Sequence, residues 1–236
     1  MKKKPRFERK YRISKTEYFS ILNTIRPFIE VDPIAAKKGG RYFVRSLYFD
    51  SFGYHSYSEK VAGVSDRIKL RIRAYGKDLK DTDIISFEIK TKRADKIVKY
   101  SSKILPDQYF DYLGNGHLSY LEDPVLEEFF RLKNIYHLEG VIIVDYERDA
   151  FYAKGDDGVR ITFDHDVRSA SSNKLFPKEE EVIFRSGEPQ VVVMEIKTQK
   201  SHPYWLSDVC KRFGLDQKPN SKFALGIENS AKSILR

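Results

Sequence analysis

Arg67-Ile68-Lys69-Leu70-Arg71-Ile72-Arg73 is the stretch that decides the fold. Side chains of a strand alternate between faces, so it carries four cations on one face and three aliphatic residues on the other. The design recurs in Phe87-Glu88-Ile89-Lys90, Val159-Arg160-Ile161-Thr162-Phe163-Asp164 and Met194-Glu195-Ile196-Lys197. One amphipathic strand of this kind ordinarily turns its charges to water. Many such strands, mostly cationic and each with an occasional carboxylate, point instead to a shared ionic interior.

On the N-terminal side, residues 6–13 predict a strand with Arg6, Glu8, Lys10 and Arg12 on one face. Ser14 and Glu17 have the spacing of a capping box, and Tyr18, Phe19, Leu22 and Ile25 stripe the helix that follows, up to Pro27. Residues 32–40 read as a loop, 41–50 as a strand, and 54–63 as a short aromatic helix or turn. On the C-terminal side, 84–92 and 96–105 read as strands. Pro106 opens a helical region that Gly114-Asn115-Gly116 breaks. Asp123-Pro124 opens another, with Val125, Phe129, Leu132 and Ile135 as its buried face. Strands are expected at 141–152, 158–165, 182–184 and 190–198, and helices at 203–213 and 221–235, the last capped by Ser221.

These elements predict one α+β domain over residues 1–236. Roughly eight antiparallel strands would close into a tunnel barrel, which removes exposed edges. Helices with apolar stripes need apolar partners, so they belong outside, leaving a polar, cationic lumen. Unpaired cations there are costly without anions.

Composition agrees. Lys and Arg number 43 against 34 Asp and Glu, a formal charge of +9 that favours an anionic partner. The single Cys210 excludes an intramolecular disulfide and a cysteine-based zinc site, and fits a cytoplasmic setting. The start, Met1-Lys2-Lys3-Lys4-Pro5, has no apolar run of a signal peptide behind it. No apolar stretch reaches the ~20 residues of a membrane helix. The basic tail is either a solvated terminus or a peripheral contact to the inner membrane face. His55, His117, His137, His165 and His202 show no metal-ligand spacing and read as surface or loop residues.

Arg71, Arg73, Lys90, Lys99, Arg148 and Arg160 are the candidate phosphate contacts, since an arginine fork matches phosphate oxygens. Glu195 is the carboxylate best suited to Mg2+ or Mn2+, with Glu8 and Glu88 either further ligands or ion-pair partners. Lys197 shares the face of Glu195. Ser221-Lys222 opens a helix, where free amides attract anions, although a plain cap reads equally well.

With Phe7-Glu8-Arg9-Lys10-Tyr11, Ser46-Leu47-Tyr48-Phe49-Asp50, Tyr146-Glu147-Arg148 and Ser221-Lys222-Phe223 set beside Lys69-Leu70-Arg71-Ile72-Arg73, Phe87-Glu88-Ile89-Lys90, Val159-Arg160-Ile161 and Met194-Glu195-Ile196-Lys197, the chain resembles the VTC catalytic domain. That is the polyphosphate polymerase branch of the CYTH-like, triphosphate tunnel metalloenzyme superfamily. The resemblance implies transfer of the γ-phosphoryl of ATP to a polyphosphate chain, with Mn2+ or Mg2+. It also implies phosphate contacts at Lys10, Arg71, Arg73, Lys90, Lys99, Arg148, Arg160 and Lys222, and metal at Glu195. The Glu-x-Glu-x-Lys opening of the broader superfamily reads Arg6-Phe7-Glu8-Arg9-Lys10 here, which disfavours a cyclase-like two-metal site. Translocation of product would need a separate membrane protein partner.

An inorganic triphosphatase or polyphosphate hydrolase on the same fold is the nearest alternative. A non-catalytic polyphosphate or nucleotide-binding module is a second. A nucleic-acid partner is not expected, because the cations alternate with core aliphatics and no recognised motif is present.

Overall fold

The computed structural model describes residues 7–93, 96–199 and 201–231. The Lys2-Lys3-Lys4 tail, Arg6 and the expected end of the last helix at 232–235 lie outside these residues.

Among the described residues, alternation of apolar and charged residues produces nine strands. In chain order the elements are β1 (Phe7–Ser14), α1 (Lys15–Ile25), β2 (Ile29–Val31), α2 (Pro33–Lys37), β3 (Arg41–Asp50), α3 (His55–Val61), β4 (Arg67–Ala74), β5 (Ile85–Arg93), β6 (Lys96–Ile104), α4 (Pro106–Asn115), α5 (Pro124–Ile135), β7 (Glu139–Ala153), β8 (Asp156–Ser171), β9 (Val191–Thr198), α6 (Tyr204–Arg212) and α7 (Lys222–Ala231). Hydrogen bonding orders the sheet β1-β9-β8-β7-β3-β4-β5-β6, with β2 paired to β7. The fold is α+β.

Two compact units make up the chain, each from three segments. The first unit comprises Met1–Tyr42, Tyr146–Val167 and Glu188–Ser221. Its core joins the apolar faces of β1 (Tyr11, Ile13), β8 (Val159, Ile161, Phe163) and β9 (Val192, Met194, Ile196) to α1 and α6. Ser14 accepts from the Glu17 amide and Glu17 accepts from the Ser14 amide, the capping box that starts α1. Cys210 packs against this core.

The second unit comprises Phe43–Asp145, Arg168–Gly187 and Lys222–Arg236. Leu47, Phe49, Leu70, Ile72, Phe87 and Ile89 of β3, β4 and β5 pack on Tyr109 of α4 and on Leu126, Phe129 and Leu132 of α5. Asp123 caps α5 by accepting from the amides of Val125 and Leu126. In both units the helices thus cover the apolar strand face and leave the ionic face for other partners.

Four local expectations need correction. Phe19 and Ile135 are exposed, because Ile21 and Leu126 take the inward positions. The stretch 32–40 holds a helix, α2, which Asp32 caps through the Ile34 amide with Pro33 in the first turn. Residues 182–184 form no strand. Only an isolated bridge, Ser169 to Arg185, occurs there.

Candidate functional site

The second unit builds its ionic face in rows set by strand register. Ser46, Arg73, Ser86 and Lys103 face one another in turn across β3, β4, β5 and β6. The next row is Tyr48, Arg71, Glu88 and Ser101. The row after that is Lys69, Lys90 and Lys99. Three lysines therefore stand directly opposite one another, an arrangement that costs energy without an anion.

Glu88 is the buried counter-charge of this face. The Arg71 Nε donates to one of its oxygens and Lys99 Nζ to the other. Burial would raise the Glu88 carboxyl, but Arg71, Arg73 and Lys99 outweigh it and hold the group well below the usual carboxylate range. Hydroxyls brace the arginines from β3. Arg73 donates to Ser46 Oγ at 3.1 Å and Arg71 to Tyr48 Oη at 3.2 Å.

Tyr48 is buried, which alone would raise its phenol, yet Arg71, Arg73 and Lys222 lower it to about 8. Lys69 lies 4.7 Å from the Phe223 ring centroid, and burial lowers it to about 8. Burial likewise lowers Lys99 to about 8, against the pull of Glu88. Lys222 therefore joins Arg71, Arg73, Lys90 and Lys99 in this unit. Lys69, which the motifs do not single out for phosphate, belongs to the cluster as well. Arg67 instead donates to the Glu59 and Lys60 carbonyls at the end of α3, at 3.4 and 3.5 Å.

The first unit alternates charge where the second stacks it. Arg160, Lys197 and Glu8 form one row across β8, β9 and β1, and Thr162, Glu195 and Lys10 form the next. Lys197 Nζ lies 3.0 Å from Glu195, and Lys10 Nζ lies 2.9 Å from Glu8. Burial would raise Glu195, but Lys197, Lys10 and Arg148 outweigh it and hold the carboxyl well below its usual range.

Arg148 grips buried Asp164 with both Nε and Nη2, at 2.6 and 2.8 Å, and approaches Glu195 at 3.9 Å. Arg160 donates to Asp32 at 3.1 Å and to the Tyr42 hydroxyl at 3.3 Å. Ser221 closes the last segment of this unit and directly precedes α7.

The donor set can be tested against a divalent cation. Among the described residues no three His, Cys, Asp or Glu side chains gather as a metal cage. Glu195 and Glu8 supply two adjacent carboxylates, one of them held ionised. That fits a hard ion that takes one or two carboxylates and fills its remaining positions with water and phosphate oxygens. Glu88 has both oxygens engaged by cations and serves as their counter-ion.

Partners in space, invisible in one strand, account for what sequence reasoning missed. Ser46 and Tyr48 alternate on β3, but only its register with β4 reveals them as arginine braces. Asp164 and Asp32 likewise emerge as the partners of Arg148 and Arg160. His165 is not a surface residue. It is buried with Nε2 2.8 Å from Asp149, which also accepts from Tyr18 and from the fork of Arg41. Burial would raise Asp149, but hydrogen bonds from His165, Arg41 and Tyr18 hold it low.

Comparison with known proteins bears on both units. The sequence profile of the VTC domain matches residues 5–230. No curated protein sequence matches the chain. A solved structure from Bacillus halodurans, described as a candidate adenylate cyclase, superposes with a TM-score of 0.56 at 15% identity, covering 94% of this chain and 96% of that one. A candidate adenylate cyclase from Vibrio parahaemolyticus gives a TM-score of 0.51 at 15% identity, covering 95% and 99%. At that identity the likeness speaks for the fold alone. Profile and fold agree with the order of motifs along β1, β4, β5, β8 and β9: the chain is a member of the VTC domain family, built on the CYTH-like tunnel fold.

Proposed function

We infer that this protein is a metal-dependent polyphosphate polymerase that transfers the γ-phosphoryl group of ATP to the end of a polyphosphate chain. The facing row Lys69, Lys90 and Lys99 carries this reading. Like charges set opposite one another on a strand face favour a polyanion along them. A phosphate chain offers acceptors at every repeat, which suits ammonium rows and arginine forks alike. Membership of the VTC family supports the same substrate class.

Phosphoryl transfer demands positioning and charge stabilisation more than covalent help. Arg71, Arg73, Lys90, Lys99 and Lys222 would hold phosphates on the ionic face of one unit. Lys10, Arg160, Lys197 and the Ser221 hydroxyl would do so in the other. Arg148, locked by Asp164, presents a fixed positive charge beside Glu195. Glu195, with Glu8 next to it, would hold Mg2+ or Mn2+, and that ion neutralises charge on phosphate oxygens. The acceptor is itself a phosphate oxygen, so no protein nucleophile is required. One functional domain, no nucleic-acid partner and a separate membrane protein for translocation complete the reading.

Incubation of the protein with ATP and Mn2+ tests it. Long, acid-labile polymer is the expected product. Free phosphate without polymer would overturn polymerase activity and assign triphosphate hydrolysis instead.

A further inference from the structure

Two buried polar side chains of the first unit lack a hydrogen-bond partner among the described residues and belong to residues linked to the row of Glu195 and Lys10. They are the Asn220 amide, unpaired at both Nδ2 and Oδ1, and the Thr162 hydroxyl. Asn220 is 7% exposed and Thr162 3%. Thr162 is the register partner of Glu195, and Glu195 is the register partner of Lys10. Lys10 Nζ in turn donates to the backbone carbonyl of Asn220 at 3.4 Å. Hydroxyl, carboxylate and ammonium thus follow one another in register, and the ammonium reaches the backbone of Asn220. By contrast Thr198, also unpaired, shares the apolar face of Met194 and Ile196.

Protein interiors seldom keep polar groups unpaired unless something else completes them. The amide narrows what that can be, because Nδ2 only donates and Oδ1 only accepts. A bare oligophosphate accepts only, so it would complete Nδ2 and the Thr162 hydroxyl and leave Oδ1 wanting a donor. A divalent cation that keeps part of its water shell supplies that donor. Joined to an oligophosphate, it presents acceptors and donors in one ligand, with the carboxylate of Glu195 in register beside Thr162.

We propose that Asn220 and Thr162 recognise the hydrated metal–oligophosphate complex in preference to the free anion. Asn220 Nδ2 donates to a phosphate oxygen, while Asn220 Oδ1 and Thr162 Oγ1 accept from water held by the cation. This rests on the reading of Glu195 as the carboxylate that holds that cation. Neither residue belongs to the motifs that mark the family in this chain. Both act as specificity residues, choosing the metal-loaded ligand.

Tripolyphosphate binding, measured by calorimetry on the full chain with and without Mg2+, gives the metal preference as a ratio of two Kd values. Thr162→Val and Asn220→Leu are each expected to cut that ratio about tenfold, the loss of one good hydrogen bond to a charged complex. Thr162→Val should also unfold at the same temperature as the parent or higher, since it removes an unpaired hydroxyl at constant shape. Retention of the metal preference in both variants would overturn the proposal, as would a Thr162→Val protein that melts several degrees lower. Glu195→Gln separates the two levels. If it abolishes the preference while Thr162→Val and Asn220→Leu keep it, only the present inference fails. If the parent protein shows no metal preference, the reading of Glu195 fails and takes the inference with it.

Discussion

Arg71 and Glu88 face each other in register across β4 and β5, and the guanidinium Nε donates directly to the carboxylate. The pair is the electrostatic centre of its unit, because Lys99 takes the other Glu88 oxygen. Removing one member of a buried ion pair costs about 3–5 kcal/mol. Glu88→Gln is therefore expected to lower unfolding free energy by about that amount. Added tripolyphosphate should return part of the loss by supplying the missing negative charge. Urea denaturation with and without the anion checks both statements.

Glu88 also sets an acid limit. Its folded carboxyl lies below the ordinary value of 4.5, so its contribution is fully present above that pH. The contribution is lost as pH falls from there through the folded value. Acid unfolding of Glu88→Gln should accordingly show a shallower dependence on pH below 4.5 than the parent. Equal slopes in the two proteins would count against the arrangement.

Tyr48 and Lys69, both near 8, predict an alkaline effect of two opposite signs. Between about pH 7 and 9 each loses a proton, and the face loses positive charge. Tripolyphosphate affinity should fall over that range, with proton uptake on binding at pH 8. Unfolded tyrosine and lysine keep their protons to about pH 10. The unfolded chain then binds more protons between about 8 and 10, so stability of the free protein rises with pH there. Calorimetry in two buffers of different ionisation heat measures the uptake, and Tyr48→Phe should reduce it. An affinity unchanged from pH 7 to 9 would sink this prediction.

Arg148 serves the fold as much as any ligand. Its fork is spent on Asp164, which is fully buried. Arg148→Ala strands that carboxylate, and a loss of about 3–5 kcal/mol is expected by chemical denaturation. Arg148→Lys keeps charge but not the fork, and should lie between. Loss of activity in Arg148→Ala therefore needs a stability measurement beside it.

The alternation of Arg67–Arg73 was enough to read the two faces of the strands, because a period of two follows from backbone geometry alone. Which cations meet was not legible. Lys69 faces Lys90 and packs over Phe223, and that depends on register and on α7, far along the chain. The phase of a helical stripe was equally hidden. Phe19 and Ile21, or Ile135 and Leu126, compete for the core, and tertiary packing chose the second of each pair. His165 gave no signal because its partners Asp149, Tyr18 and Arg41 are distant in sequence. Glu195 stood out through its motif, but Thr162, which faces it, and Asn220 lie outside the motifs that carry the family resemblance.

The pairing of β1 with β9, from Phe7 opposite Thr198 to Ser14 opposite Val191, has a consequence for the birth of the protein. About 190 residues separate the two ends of the first contact. At ~5–20 residues per second, β1 leaves the ribosome on the order of ten seconds or more before its partner is made. During that interval Lys10 has no Glu195 to face, and the carboxylate row does not exist. Ligand chemistry in this unit therefore waits until β9 has been made.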